Sequence, residues 1–145
     1  MASLLTLTFS SPTRNLAKGE VLIAEGDPGG DLYVLETGKL VVEREGVELA
    51  TVTAPGALVG EMSVLLGTEN TATVRATTAA SVRVVKDALA YLERQPLVAL
   101  RVAMLLSQRL DATSALLVEA QKGKPPEPAG GVFGRLMAAV SGEHH

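Results

Sequence analysis

The run VGEMSVLLGTENTATVRA, residues 59 to 76, carries residue types that could hold a small anion. Gly60 permits close backbone approach, and Glu61 to Leu66 can form one or two helical turns whose first N–H groups point outward without partners. A helix start of this kind attracts anions, phosphate above all. Glu61 at that end either offers its carboxylate to ribose hydroxyls or simply complements the helix dipole, an effect of some tenths of a kcal/mol. A turn follows, and a strand is expected to begin at Asn70, where an anion site calls for a cation.

Little else on the chain offers competing chemistry. There is no cysteine, which removes disulfides, thiolate nucleophiles and thiolate-bound zinc, and both histidines, His144 and His145, sit at the very end. A jelly-roll metal enzyme would need several histidines in its strands, and a glycine-rich nucleotide loop would need a GxGxxG or Walker pattern; neither occurs. No nucleophile–base pair is evident, so the expectation is a protein that is not an enzyme. The net charge of −3 and the scattered basic residues exclude the positive stripe that nucleic-acid phosphates require. The start MASLLTLTFSS has no basic region before its apolar residues, and LVALRVAMLL is broken by Arg101. Neither reads as a signal or a membrane span, and a cytoplasmic protein is expected.

The elements that must position the run fall into two textures. From residue 4 to 86 the short β-rich runs LLTLTF, EVLIAE, LYVLE, KLVVERE, VELATV, TATVRA and SVRVV alternate with turns, the pattern of an antiparallel sandwich, barrel or roll. GDPGGD (26 to 31) reads as a turn, Gly38 separates two strands, and Glu45-Gly46 forms a hairpin. After Val85 the pattern turns helical: KDALAYLERQ is one helix, stopped before Pro96, and the stretch from 97 to 121 is a long one. In the long helix Ala99, Ala103, Leu106, Leu110, Thr113, Leu117 and Ala120 form a seam that packs either on the chain's own β-domain or on a second copy. KGKPPEPAGG (122 to 131) is a linker, and residues 132 to 141 form a short amphipathic segment. The expected domain therefore covers 1 to 121, with a roll over 4 to 86 and helices over 87 to 121.

Taken together, AKGEVLIAEGDPGGDLYVLETGKLVV (17 to 42), VGEMSVLLGTENTATVRA and the long helix resemble the cyclic nucleotide-binding domain, over about residues 14 to 121. The resemblance implies a mainly β fold with C-terminal helices, an eight-stranded antiparallel β-roll or jelly roll with a short cassette helix. It implies cAMP or cGMP as ligand and no further cofactor. Backbone N–H groups from Gly60 through Met62 to Ser63 would hold the cyclic phosphate, and Glu61 would take the ribose 2′-hydroxyl. The family places Arg, then Ser or Thr, then Ala at the following strand; this chain has Asn70, Thr71 and Ala72. QRLDATSALL (108 to 117) is similar to the dimer helix of catabolite activators, whose arginine, threonine and serine at this spacing approach the ligand; here they are Arg109, Thr113 and Ser114. No helix-turn-helix follows these residues.

Losing an arginine–phosphate fork costs about 2 to 5 kcal/mol, or roughly 30-fold to several thousandfold in affinity. Arg75 does not replace it if Val74 and Ala76 share the face of Asn70, while Arg109 could pair with Glu61 or reach the phosphate. Two expectations stand. The first is a regulatory module that binds a cyclic nucleotide and forms a homodimer through the 97 to 121 helix. The second is a degenerate member that no longer binds nucleotide and serves as a scaffold for a protein partner.

Overall fold

A computed structural model of the chain describes residues 3–123. The amphipathic segment 132 to 141, the two histidines and all but Lys122 and Gly123 of the linker lie outside the described residues. The elements run α1 (Leu4–Leu7), β1 (Thr13–Leu16), β2 (Val21–Ile23), β3 (Leu32–Thr37), β4 (Leu40–Arg44), β5 (Val47–Val52) and β6 (Leu58–Val59). After these come α2 (Glu61–Leu66), β7 (Thr73–Ala76), β8 (Ala80–Val85), α3 (Ala88–Arg94) and α4 (Pro96–Lys122). The chain divides into two compact units, one ending at Ala103 and the other beginning at Met104.

The first unit holds the eight strands in two four-stranded antiparallel sheets, ordered β1-β8-β3-β6 and β2-β7-β4-β5. Alternation builds the core between them: in β8, Ala80, Val82 and Val84 are buried while Ser81 and Arg83 are less so. Their partners across the core include Leu22, Ile23, Leu40, Val74 and Ala76 from the second sheet. Each buried Leu or Val contributes about 1.5–3 kcal/mol, so aliphatic side chains suffice although aromatics make up only 3% of the residues. Glu45 and Gly46 both have positive φ, 52° and 78°, which gives the β4–β5 hairpin the tight turn expected of it.

The first run departs from its expected strand. LLTLTF contains α1, because Ser3 Oγ accepts the Thr6 N–H and caps a helix that buries Leu4 and ends against Thr8. Replacing Ser3 with Ala is expected to cost about 0.5–1 kcal/mol, read as a shift in the urea midpoint. Two strands, β1 and β6, fall outside the seven apolar runs. Thr13–Leu16 has a single buried residue and owes its conformation to pairing with β8, and Leu58–Val59 is only two residues long. Pro96 does not merely stop α3; it opens α4, where its missing N–H would have had no helical partner. Among the described residues no helix is long and apolar enough to cross a membrane.

Candidate functional site

Gly60 begins α2 with φ 89° and no side-chain cap, so the first N–H groups of the helix have no side-chain acceptor at the cap. No other residue fits there. A Cβ on Gly60 would lie 2.8 Å from the Asp31 carbonyl oxygen, and the positive φ would strain any side chain. Gly67 closes α2 in the left-handed region, its N–H bonded to Ser63 O. Within the helix Glu61 is only 8% exposed, Ser63 is buried, and Met62 is open to solvent. The Ser63 hydroxyl donates to Gly60 O at 3.0 Å and is committed there.

Asn70 does not begin a strand; β7 starts at Thr73. Asn70 is instead tied to the loop that follows β2. The Asn70 N–H donates to Asp27 O at 2.9 Å, and Asn70 O accepts from the Gly26 N–H at 2.8 Å. Its side-chain Nδ2 donates to Ala24 O and Pro28 O at 3.3 and 3.4 Å. Both side-chain bonds are long, but together they occupy the two amide hydrogens. Thr71 and Ala72 follow as half-buried residues, and the Thr71 hydroxyl faces Met62 Sδ at 3.9 Å. Arg75 lies on the opposite face of β7 from the buried Val74 and Ala76 and pairs with Glu43.

The 24–31 loop is the part of the site whose role is hidden in the sequence. GDPGGD was expected to be a turn, and Gly26 and Gly30 do take positive φ. Gly29 is needed for room: a Cβ there would lie 2.3 Å from the Ser63 side chain and 3.0 Å from Asn70 Oδ1. The adjacent pair Gly29-Gly30 is the one signal in the sequence, because the turn needs positive φ only at Gly30 and leaves Gly29 to be explained by room. Gly30 O accepts from the Ala88 N–H, and Asp31 takes the Asp87 N–H and the Lys86 ammonium, which fastens the loop to the start of α3.

A cavity of 140 Å³ opens beside this loop, with Leu22, Ile23 and Tyr33 against it and Asp27, Asp31 and Asn70 among its polar groups. Burial, and after it the Asp31 carboxylate, push the Tyr33 hydroxyl above its ordinary pKa, so it stays protonated and can donate a hydrogen bond. Among the described residues no group of side chains could hold a metal ion.

Arg109, Thr113 and Ser114 belong to the second unit, all on α4. Their spacing places them on neighbouring turns, and the Thr113 hydroxyl donates to Arg109 O at 2.9 Å. Leu110, Leu116 and Val118 are exposed on this stretch of helix.

Eight antiparallel strands in two sheets with a glycine-led short helix and C-terminal helices define a β-roll class of domain. The cyclic nucleotide-binding domain model matches residues 13–90, more than half of the chain, and the chain belongs to that family. It is 42% identical over 60 residues to the cGMP-dependent protein kinase egl-4 of Caenorhabditis briggsae, a stretch covering 41% of this chain and 8% of the kinase. The catabolite activator protein of Thermus thermophilus has a similar fold, with a TM-score of 0.67 and 32% identity over 81% of this chain and 59% of that one. So does the N-terminal domain of a transcriptional regulator from Streptomyces coelicolor A3(2), with a TM-score of 0.55 and 34% identity over 77% of this chain and 81% of that one. The chain thus spans less than a tenth of the kinase and under two thirds of the Thermus protein. The eight-stranded roll with C-terminal helices that the resemblance implied is the fold observed.

Proposed function

We propose that the chain is a non-enzymatic cytoplasmic regulatory module that binds a cyclic nucleotide, cAMP or cGMP, and signals through a change in its helices. The observation that carries this reading is Gly60, held at φ 89° at an uncapped helix start, with Glu61 buried beside it on the family's fold. In this reading the N–H groups of Gly60, Glu61, Met62 and Ser63 meet the phosphate and Glu61 accepts from the ribose. A buried carboxylate needs a cation to offset its lost hydration. Arg109 is assigned that task, with Thr113 and Ser114 turned to the base; this assignment rests on the sequence motif alone. The exposed apolar residues of α4 support a homodimer formed through the helix.

One observation favours the scaffold reading: the Asn70 amide is spent on the loop and carries no charge. Isothermal titration of the nucleotide-free protein with cAMP and cGMP separates the two. Dissociation constants in the low micromolar range or tighter, about −8 kcal/mol, are the expected result. Absence of heat with either nucleotide would favour the scaffold.

A further inference from the structure

We infer that the apolar seam on the C-terminal part of α4 is an intramolecular docking face, and that its occupant is residues 132 to 140 of the same chain, laid antiparallel along the helix. This docking and the homodimer proposed above claim one face, and neither depends on nucleotide. Among the described residues α4 buries Val98 and Val102 alone, and both precede Met104. From Met104 to Lys122 the helix is exposed except at Leu105, Leu106, Ser114, Leu117 and Gln121, which are half-buried. Four of these, all but Leu105, lie within about a quarter turn of one another around the axis, with Leu110 among them. A lone helix exposes every face alike, so one-sided burial that takes in a serine and a glutamine points to a cover over that face.

The segment suits that face in length and in kind. Val132, Phe133, Leu136, Met137 and Val140 share one side at helical spacing, and Gly134 among them lowers the helix propensity. So short a run is not a stable helix alone in water, and its fold depends on a surface for those five side chains. Phe133 to Val140 and Leu110 to Leu117 are the same step, about 10 Å along a helix. Laid antiparallel, Phe133 meets Leu117 and Val140 meets Leu110. Leu136 and Met137 then lie over the smaller Ser114 and Thr113, so long side chains face short ones. The connection permits this. Pro125, Pro126 and Pro128 oppose continuation of α4, and Gly130 and Gly131 let the chain reverse. Residues 124 to 131 can reach about 26 Å, whereas doubling back beside the same helix needs about 8–10 Å. Release of the segment therefore precedes both the homodimer and any contact of Thr113 and Ser114 with a base.

The chain has no cysteine, so two introduced ones report a single contact. The test oxidises the full chain mildly in two forms. One carries Leu117→Cys with Phe133→Cys, a pair on the seam; the other carries Glu119→Cys with Phe133→Cys, whose first cysteine lies on the opposite face of α4. A tethered but unseated segment brings both pairs together at a similar effective concentration, on the order of millimolar. The expected result is a disulfide within one chain that forms at least about fivefold faster in the seam pair, since a bridge needs Cα atoms within about 7 Å. A smaller ratio, no bridge, or bridges mainly between chains overturns the inference. Sedimentation equilibrium then reads the competition: Phe133→Glu combined with Leu136→Glu should dimerise at least about tenfold more tightly than wild type. A fast seam bridge without a dimer of that variant upholds the inference and removes the homodimer from the proposed function. A wild-type dimer without the bridge within one chain overturns the inference and leaves the homodimer standing.

Discussion

Gly60→Ala is expected to destabilise the protein by about 2–5 kcal/mol and to abolish ligand binding, whereas Gly56→Ala costs about 1–2 kcal/mol. Both glycines sit at nearly the same φ, 89° and 90°, so the strain of placing a side chain in the left-handed region is common to both. They differ in what the new Cβ meets. At Gly56 nothing lies within 4 Å, but at Gly60 the Asp31 carbonyl oxygen lies at 2.8 Å. That oxygen cannot easily retreat, because the Asp31 carboxylate is tied to Lys86 and to the Asp87 N–H. Relief must come from moving the start of α2, which carries the N–H groups assigned to the ligand. Urea midpoints at unchanged slope measure both substitutions. Equal costs would show that the close approach at Asp31 has no energetic role.

Arg83→Ala is expected to cost about 3 kcal/mol, the lower end of the range for breaking a buried pair, because both partners keep some exposure. Arg83 donates to Glu36 at 3.0 Å, to Thr8 O at 2.9 Å and to Leu5 O at 3.3 Å, with side-chain exposures of 16% for Arg83 and 20% for Glu36. Its removal leaves a partly buried carboxylate whose Oε1 already has no partner, and it also releases the carbonyls of Leu5 in α1 and of Thr8 at its cap. Arg83→Met combined with Glu36→Leu should recover most of the loss, because no charge is then left alone. A double variant as unstable as Arg83→Ala would place the energy in the α1 carbonyl bonds instead. The pair also sets a pH dependence. Burial pushes the Glu36 carboxyl up, but hydrogen bonds from Thr13 and Arg83 and the Arg83 charge outweigh it and hold the group below the ordinary carboxylate range. The folded state therefore binds this proton less readily than the unfolded chain. The stabilisation is complete above the ordinary glutamate pKa and disappears as the pH falls through the lowered value. Glu36→Gln should flatten that acid slope.

The roll was legible wherever alternation and burial agree, as in Ala80–Val85, and the cassette helix was legible from Gly60 and the apolar run after it. The errors have a common cause in contacts distant along the chain. LLTLTF alternates like a strand, yet Arg83 binds its carbonyls from 75 residues or more away and a serine caps it. The TRNL stretch has one buried residue, and nothing in its own pattern announces the partner at Ala80–Val85. Strand parity counted from Asn70 began three residues too early, because β7 starts at Thr73 and Asn70 is held by the 24–28 loop. The candidate residues themselves were readable by type. How the Asn70 amide is spent was not, since that depends on backbone carbonyls, which every sequence has.

The pairing of β1 with β8 has a consequence for the chain during synthesis. Thr13 lies opposite Arg83, so the first strand leaves the ribosome with its partner still 70 residues from being made. Until then the edges of β8's neighbours stay open, and only the β4–β5 hairpin, with its tight turn, can form locally. Such topology folds slowly, since loop closure must precede most of the stabilising contacts. The nascent chain thus passes through a long interval as an unclosed sheet, and the step that ends it is the emergence of Ala80–Val85.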